Sequence, residues 1–118
     1  MSAGAHRRVA VATMDAKGTC CPRLHEAVEL VGKRWTGAIV AVLLEGGTMR
    51  FSEIAQRIPH ISDRLLSERM KELERCGIVE RRVTGTSPVR VEYALTDRGH
   101  DLAPALSELK DWADRWLD

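Results

Sequence analysis

Aromatic residues are scarce in this chain: three Trp, one Tyr and one Phe, or 4% of 118 positions. The core must therefore be mostly aliphatic, and any clustering of the Trp carries meaning. Cysteine is equally sparse, with three residues. A small odd count does not make a disulfide framework, and a bridge between the neighbours Cys20 and Cys21 would be strained, so a reducing, cytoplasmic setting is expected. No apolar run approaches the ~20 residues of a membrane span. Residues 9–14 are too short for the core of a signal peptide. Net charge of either sign is also missing: 18 Lys/Arg against 17 Asp/Glu leave a formal +1. Overall charge therefore announces no polyanionic partner. There is no phosphate loop, nucleophile elbow or supported Cys/His/Asp grouping. His6, His25, His60 and His100 are scattered. Neither enzyme activity nor a cofactor is expected. Repeats and low-complexity stretches are absent, and the length predicts one domain.

What is present is a particular order of patterns. Residues 50–99 read RFSEIAQRIPHISDRLLSERMKELERCGIVERRVTGTSPVRVEYALTDRG. Two helix patterns flank a short turn; two strand patterns follow around a Gly/Ser/Pro tip; then a new helix starts. That order is helix-turn-helix plus a β-hairpin wing, an arrangement that lays its second helix in the DNA major groove. Charge is distributed accordingly. Residues 50–98 carry ten Lys/Arg against eight Asp/Glu, whereas 99–118 carry two against five. The C-terminal segment is thus unsuited to phosphates.

Residues 1–19 show no sustained period and are expected to form a flexible arm, in which Arg7 and Arg8 are either weak phosphate contacts or merely solvated. Met14 is a second candidate start. Cys21-Pro22 opens a helix with Leu24, Ala27, Val28 and Val31 at helical spacing. A helix over 33–44, apolar on most sides through Trp35, Ala38, Ile39, Val42 and Leu43, is expected at the centre of the core. The helix over 50–58 turns Phe51, Ile54, Ala55 and Ile58 inward, with Ser52 as its N-cap. Pro59, His60 and Ile61 make the turn. Ser62 caps the helix to about Cys76, and Gly77 suits its C′ position. Strands are predicted over 78–83 and 89–95, with the tip over 84–88. Thr96 caps a last helix running to near Leu117, which Pro104 kinks or restarts.

A wheel of 100° per residue gathers Leu65, Leu66, Met70 and Leu73 on one side of the helix after Ser62. Arg69 falls inside that arc and is expected to snorkel or pair at the core edge. Arg64, Ser67, Glu68, Lys71 and Arg75 face the other way. Recognition helices touch bases through their N-terminal part, so Ser62, Asp63, Arg64, Ser67 and Glu68 are the base-edge candidates. Arg64 suits a guanine edge and Glu68 cytosine N4; Lys71 and Arg75 suit phosphates. In the wing, Arg81, Arg82 and Arg90 surround the tip with Ser87. Arg82, Arg90 and Ser87 are either minor-groove contacts or, for the Arg, solubilising charges, and alternation alone does not assign their faces. Arg50 and Ser52 suit a backbone phosphate at the start of the first motif helix.

The last helix places Leu102, Leu106, Leu109, Ala113 and Trp116 on a stripe beside Trp112. Two of five aromatics fall in the final seven residues, which favours a homodimer interface over internal packing. Two-fold symmetry would set two recognition helices ~34 Å apart and imply a pseudo-palindromic operator. Cys21 stands at a helix start near Arg23 and His25. Helix N-termini and nearby cations favour reactive thiolates. Cys21, and less so Cys20, is thus either an oxidant or electrophile sensor or an unreactive packing thiol. Cys76 reads as a small core residue. Adjacent Cys do not fit zinc-ligand spacing, so no metal is expected. A second route of control is an apolar ligand between the helix starting at Pro22 and the C-terminal helix, walled by Trp35, Trp112 and Trp116. The rival from a different class is a winged helix that docks proteins instead of DNA.

The chain resembles the HxlR-type family of winged-helix transcription regulators, within the MarR-like superfamily. The resemblance covers residues 20–116 and rests on Cys21-Pro22, GKRW (32–35), RFSEIAQRIPHIS (50–62), LLSERMKELERCGIVERR (65–82), PVRVEYALTDRG (88–99) and Trp112. It implies a mainly α fold with a small antiparallel wing over 78–95. It implies a domain over 20–118 that dimerises through its N- and C-terminal helices, the latter over 97–117. The implied function is a DNA-binding regulator, expected to repress, on an inverted repeat. Some members sense quinones, aldehydes or hypochlorite through the Cys matching Cys21; in others a small-molecule effector is open. This chain departs from the common pattern at His60, where Gly is frequent, and in its long arm.

Overall fold

The computed structural model describes residues 18, 19 and 21–118. The expected arm, apart from Gly18 and Thr19, lies outside the described residues, as does Cys20. The chain divides after Gly32, and residues 33–118 form a compact unit of their own. In the preceding unit, α1 (Pro22–Val31) starts at Pro22 behind the N-cap Cys21, and none of its residues is buried. Its apolar side chains Leu24 and Val28 are exposed.

The larger unit runs α2 (Thr36–Gly46), α3 (Phe51–Arg57), α4 (Asp63–Arg75), β1 (Val79–Thr84), β2 (Arg90–Leu95), α5 (Asp97–His100) and α6 (Ala103–Trp116). Its core is aliphatic throughout: Ile39, Val40 and Leu43 of α2, Ile54 of α3 with Ile58, Leu66, Met70 and Leu73 of α4, and Ile78, Val79, Ala94 and Leu95 around the hairpin. β1 and β2 pair antiparallel from Val79↔Leu95 to Thr84↔Arg90. Met49 adds a single bridge on the other side of Tyr93, exchanging two backbone hydrogen bonds at 2.9 and 2.7 Å. One bridging residue carries no alternation, so periodicity did not reveal it.

Helix α2 starts three residues later than the pattern over 33–44 predicts. Trp35 adopts φ 76°, in the left-handed region, which a helix cannot continue; Thr36 N–H instead closes a turn on the Lys33 carbonyl at 3.0 Å. Burial of α2 is also narrower than expected. Ala38 is exposed and Val42 half-buried, because the single core of this unit covers one side of the helix. The expected N-cap Ser52 is corrected as well. Arg50 is the N-cap of α3, and its N–H donates to Glu53 Oε1 at 2.8 Å. A carboxylate reaching back from the third helical position closes the helix two residues earlier than Ser52 would. His60 takes φ 74° in the turn, the conformation that favours glycine, and His is among the residues that tolerate it.

Helix α4 ends as predicted. Ser62 Oγ accepts the Leu65 N–H at 3.1 Å. At the other end Gly77, at φ 74°, donates to Glu74 O, and Ile78 N–H returns to Leu73 O at 2.9 Å, a Schellman closure. Cys76 is half-buried rather than a core residue, because it sits at this turn. The last helix is two pieces. Thr96 Oγ1 caps α5, accepting from Gly99 N–H at 3.2 Å, and Pro104 restarts the chain in the first turn of α6. Gly99 is required there: a Cβ would collide with the Ile78 carbonyl oxygen. No residue of α6 is buried.

Candidate nucleic-acid interface

The capped ends and the apolar stripe of α4 determine which side chains it turns outward. Leu66, Met70 and Leu73 are 0–1% exposed, so Arg64, Glu68, Lys71 and Arg75 point away from the core, while Arg69 and Glu72 lie at its edge. Ser62, Asp63, Arg64, Glu68, Lys71 and Arg75 are all exposed, and Ser67 is half-buried. The structure therefore brings the predicted base-edge and phosphate candidates of α4 to one side. It also pairs two of them: Arg64 Nε lies 3.4 Å from Glu68 Oε1, one turn along. Lys71 and Arg75 have no ion pair among the described residues. Both line an open cleft of about 340 Å³ with Glu68, Arg69, Glu72 and Lys33. Arg50 and Ser52 are exposed at the start of α3.

The register settles the faces of the wing. Cross-strand pairs share a face, so Glu80, Arg82 and Thr84 stand with Ala94, Glu92 and Arg90, while Arg81 stands with Tyr93 and Val83 with Val91 on the other side. Arg82 and Arg90 are thus on one face, and Arg81 is opposite. Arg82 is engaged within the fold: Nε donates to Glu80 Oε1 at 2.8 Å and Nη1 to Thr48 Oγ1 at 3.4 Å. Arg90 has no such pair among the described residues. Ser87 is exposed at the tip.

At the far end of the chain, Leu109, Trp112 and Trp116 of α6 are 59%, 52% and 61% exposed, while Leu102, Leu106 and Ala113 are half-buried. Trp35 is half-buried beneath the Arg34 guanidinium, which stands 4.9 Å above its ring. None of the three Trp lines the cleft at α4. Cys21 is half-buried at the N-cap of α1.

A family model described as HxlR-like helix-turn-helix matches residues 30–118. The chain belongs to the HxlR-like helix-turn-helix family. The uncharacterized HTH-type transcriptional regulator YvaP of Bacillus subtilis is 52% identical over 98 residues, 83% of this chain and 90% of YvaP. The HTH-type transcriptional regulator YodB of the same organism is 46% identical over 100 residues, 85% of this chain and 88% of YodB. Its reduced form superposes with a TM-score of 0.76 over 85% of this chain and 97% of that one, at 45% identity. YodB has also been solved diamide-treated and quinone-bound. The redox regulator HypR in its oxidized form gives a TM-score of 0.75 at 34% identity, over 83% of this chain and 99% of that one. The protein is a DNA-binding transcriptional regulator with a winged helix-turn-helix fold, and its family is one of regulators rather than enzymes. No helix of the described residues is long and apolar enough to cross a membrane.

In this HxlR-type chain a polar brace adds to the apolar stripe in holding α4. Arg69, expected at the core edge, is 14% exposed. Its Nε donates to the Arg34 carbonyl at 2.9 Å and its Nη1 to Glu72 Oε1 at 2.9 Å. The other Glu72 oxygen accepts from Lys33 Nζ at 2.5 Å. Lys33 and Glu72 are 39 residues apart, so no local period signals their meeting. A second tie lies just beyond the C-terminal end of α4, where Arg98 Nη1 donates to Cys76 O at 2.7 Å and Thr96 Oγ1 to Gly77 O at 2.5 Å.

The Lys33 hydrogen bond, opposed by partial desolvation and reinforced by Arg69, holds the Glu72 carboxyl below its ordinary value of 4.5. A carboxyl lowered in the folded state adds stability above its unfolded value and loses it as the pH falls through its folded value. Glu72→Gln should therefore destabilise the protein at pH 7 and narrow its deficit steadily below pH 4.5. Urea midpoints of both proteins across the acid range measure this, and a deficit constant with pH would contradict it.

Proposed function

We propose that the protein binds a pseudo-palindromic operator as a homodimer and represses transcription, with residues 20–118 as the regulatory domain and 1–19 as an appended arm. The observation that carries the reading is the outward side of α4. It presents Arg64, Lys71 and Arg75 beside a hairpin whose Arg82 and Arg90 share one face. In this reading Ser62, Asp63, Arg64, Ser67 and Glu68 meet base edges, and Lys71, Arg75, Arg50 and Ser52 meet the backbone. Arg82, Ser87 and Arg90 follow the minor groove, where Arg90 is the ready contact and Arg82 must first leave Glu80. The protein works in the cytoplasm, where its DNA is. A dimer seated on a promoter blocks polymerase by occupancy alone, which makes repression the simplest output.

Arg64→Ala is expected to weaken operator binding by about 1–3 kcal/mol and to relax base preference where it contacts. Footprinting on the DNA upstream of the gene locates the operator, and titration of that duplex with both proteins measures the loss. Unchanged affinity would remove Arg64 from the base-reading set. Binding insensitive to moderate salt and to heparin would favour the protein-docking rival.

Dimerisation is supported by the exposed stripe of α6, since large apolar side chains in solvent mark interfaces. Because Leu109 and Trp116 contribute little to the core, the double substitution Leu109→Glu, Trp116→Glu should leave the circular dichroism spectrum intact. It should also convert the dimer to monomer in sedimentation velocity. A wild-type protein that sediments as a monomer refutes the dimer.

Control through Cys21 is supported by its place at the head of α1, by the diamide-treated and quinone-bound forms solved for YodB and by the oxidized and reduced forms solved for the redox regulator HypR. Cys21→Ser should keep operator affinity and lose its response to diamide. A response that survives the substitution excludes Cys21 as the sensor. The other input, an apolar effector near Trp35, Trp112 and Trp116, predicts ligand quenching of Trp fluorescence in wild type and Cys21→Ser alike.

A further inference from the structure

The cleft beside α4 contains more positive charge than negative once its ion pairs are assigned. Glu68 is taken by Arg64 at 3.4 Å. Glu72 is shared between Arg69 at 2.9 Å and Lys33 at 2.5 Å. If Arg69 is counted as the partner of Glu72, then Lys33, Lys71 and Arg75 line one open cleft with no carboxylate of their own. The two partners of Glu72 differ in freedom. Arg69 is 14% exposed and would give up two hydrogen bonds, to Arg34 O and to Glu72, if it turned outward. Lys33 is 46% exposed, sits on a flexible four-carbon stem, and makes one ion pair among the described residues. Exposed ion pairs of this kind exchange partners at little cost.

We propose that Lys33 is a DNA-backbone contact, and that the cleft it forms with Lys71 and Arg75 seats a phosphate flanking the groove that α4 enters. This rests on the reading of α4 as the DNA-facing helix. In the free protein the Glu72 carboxylate occupies Lys33 much as a phosphate oxygen would. On DNA, Lys33 Nζ turns from Glu72 to the phosphate, and Glu72 keeps Arg69, so no carboxylate is left alone. Lys33 lies outside the helix-turn-helix and wing in sequence, in the turn before α2, and so widens the phosphate-binding surface beyond the motif. Each lost phosphate contact on B-DNA lowers the slope of log affinity against log salt by about 0.9.

The test is fluorescence anisotropy of a labelled 30-base-pair duplex of arbitrary sequence, titrated with the full chain between 50 and 200 mM NaCl. Non-specific binding suffices because the phosphate term is sequence-independent. Lys33→Gln should flatten the salt slope by about 0.9, so that it loses about 3- to 4-fold less affinity than wild type over this range. Lys33→Arg, which keeps the charge, should restore the slope, and Glu72→Gln should not reduce it. A Lys33→Gln protein that binds more weakly with an unchanged slope, or a Glu72→Gln protein that copies its flattened slope, overturns the proposal and leaves Lys33 as a brace. A wild type that binds this duplex without salt dependence overturns the DNA-facing assignment of α4 and this inference with it.

Discussion

The structure depends on one helix having to bury one side. Leu66, Met70 and Leu73 recur at three- and four-residue spacing and are almost wholly removed from water. Truncating any one of them would cost on the order of 2–5 kcal/mol, since lost transfer energy and a residual cavity add. That requirement leaves α4 no freedom to rotate about its axis. Glu68 and Lys71, between the three, are therefore turned to solvent, while Arg69 and Glu72 lie at the core edge. The helix is also closed at both ends, by the Ser62 hydroxyl and by the turn at Gly77. Its length and its axial rotation are thus set by different interactions.

Electrostatics then refines a surface that composition does not announce. The whole chain carries a formal charge of +1, yet carboxylates and cations are not evenly matched in space. Glu68, Glu72 and Glu80 each lie against an Arg. Lys71, Arg75 and Arg90 have no such partner among the described residues. A nearly neutral chain can in this way expose cations that no carboxylate answers.

The wing and α5 are tied to the same helix. Thr96 joins the end of β2 to the carbonyl of Gly77, and Arg98 reaches the carbonyl of Cys76. Met49, just ahead of α3, is hydrogen-bonded to Tyr93 of β2. The reading elements therefore share one frame. Helix α6 stands apart in character: its apolar stripe contributes no buried residue to this frame.

Much of this was legible in the residues because it is local. Ser62, Gly77 and Thr96 announced element ends through their own backbone chemistry, and period 3.6 separated Leu66, Met70 and Leu73 from Arg64, Lys71 and Arg75. It also assigned Arg69 to the core edge. Local pattern was less reliable where two caps competed, as Glu53 reaching back to Arg50 displaced Ser52. It also failed where an apolar run continued through a residue of positive φ, as at Trp35. Arg82 and Arg90 had no assigned face until Val79 paired with Leu95, because register is a relation between two strands. Lys33 and Glu72 could not be joined at all from sequence. The order of elements and the two sides of α4 follow from the residues alone, since both depend on neighbours within one turn. Which charges are satisfied within the fold and which stay unpaired emerges from folding alone, because ion pairs such as Lys33 with Glu72 join residues far apart in the chain.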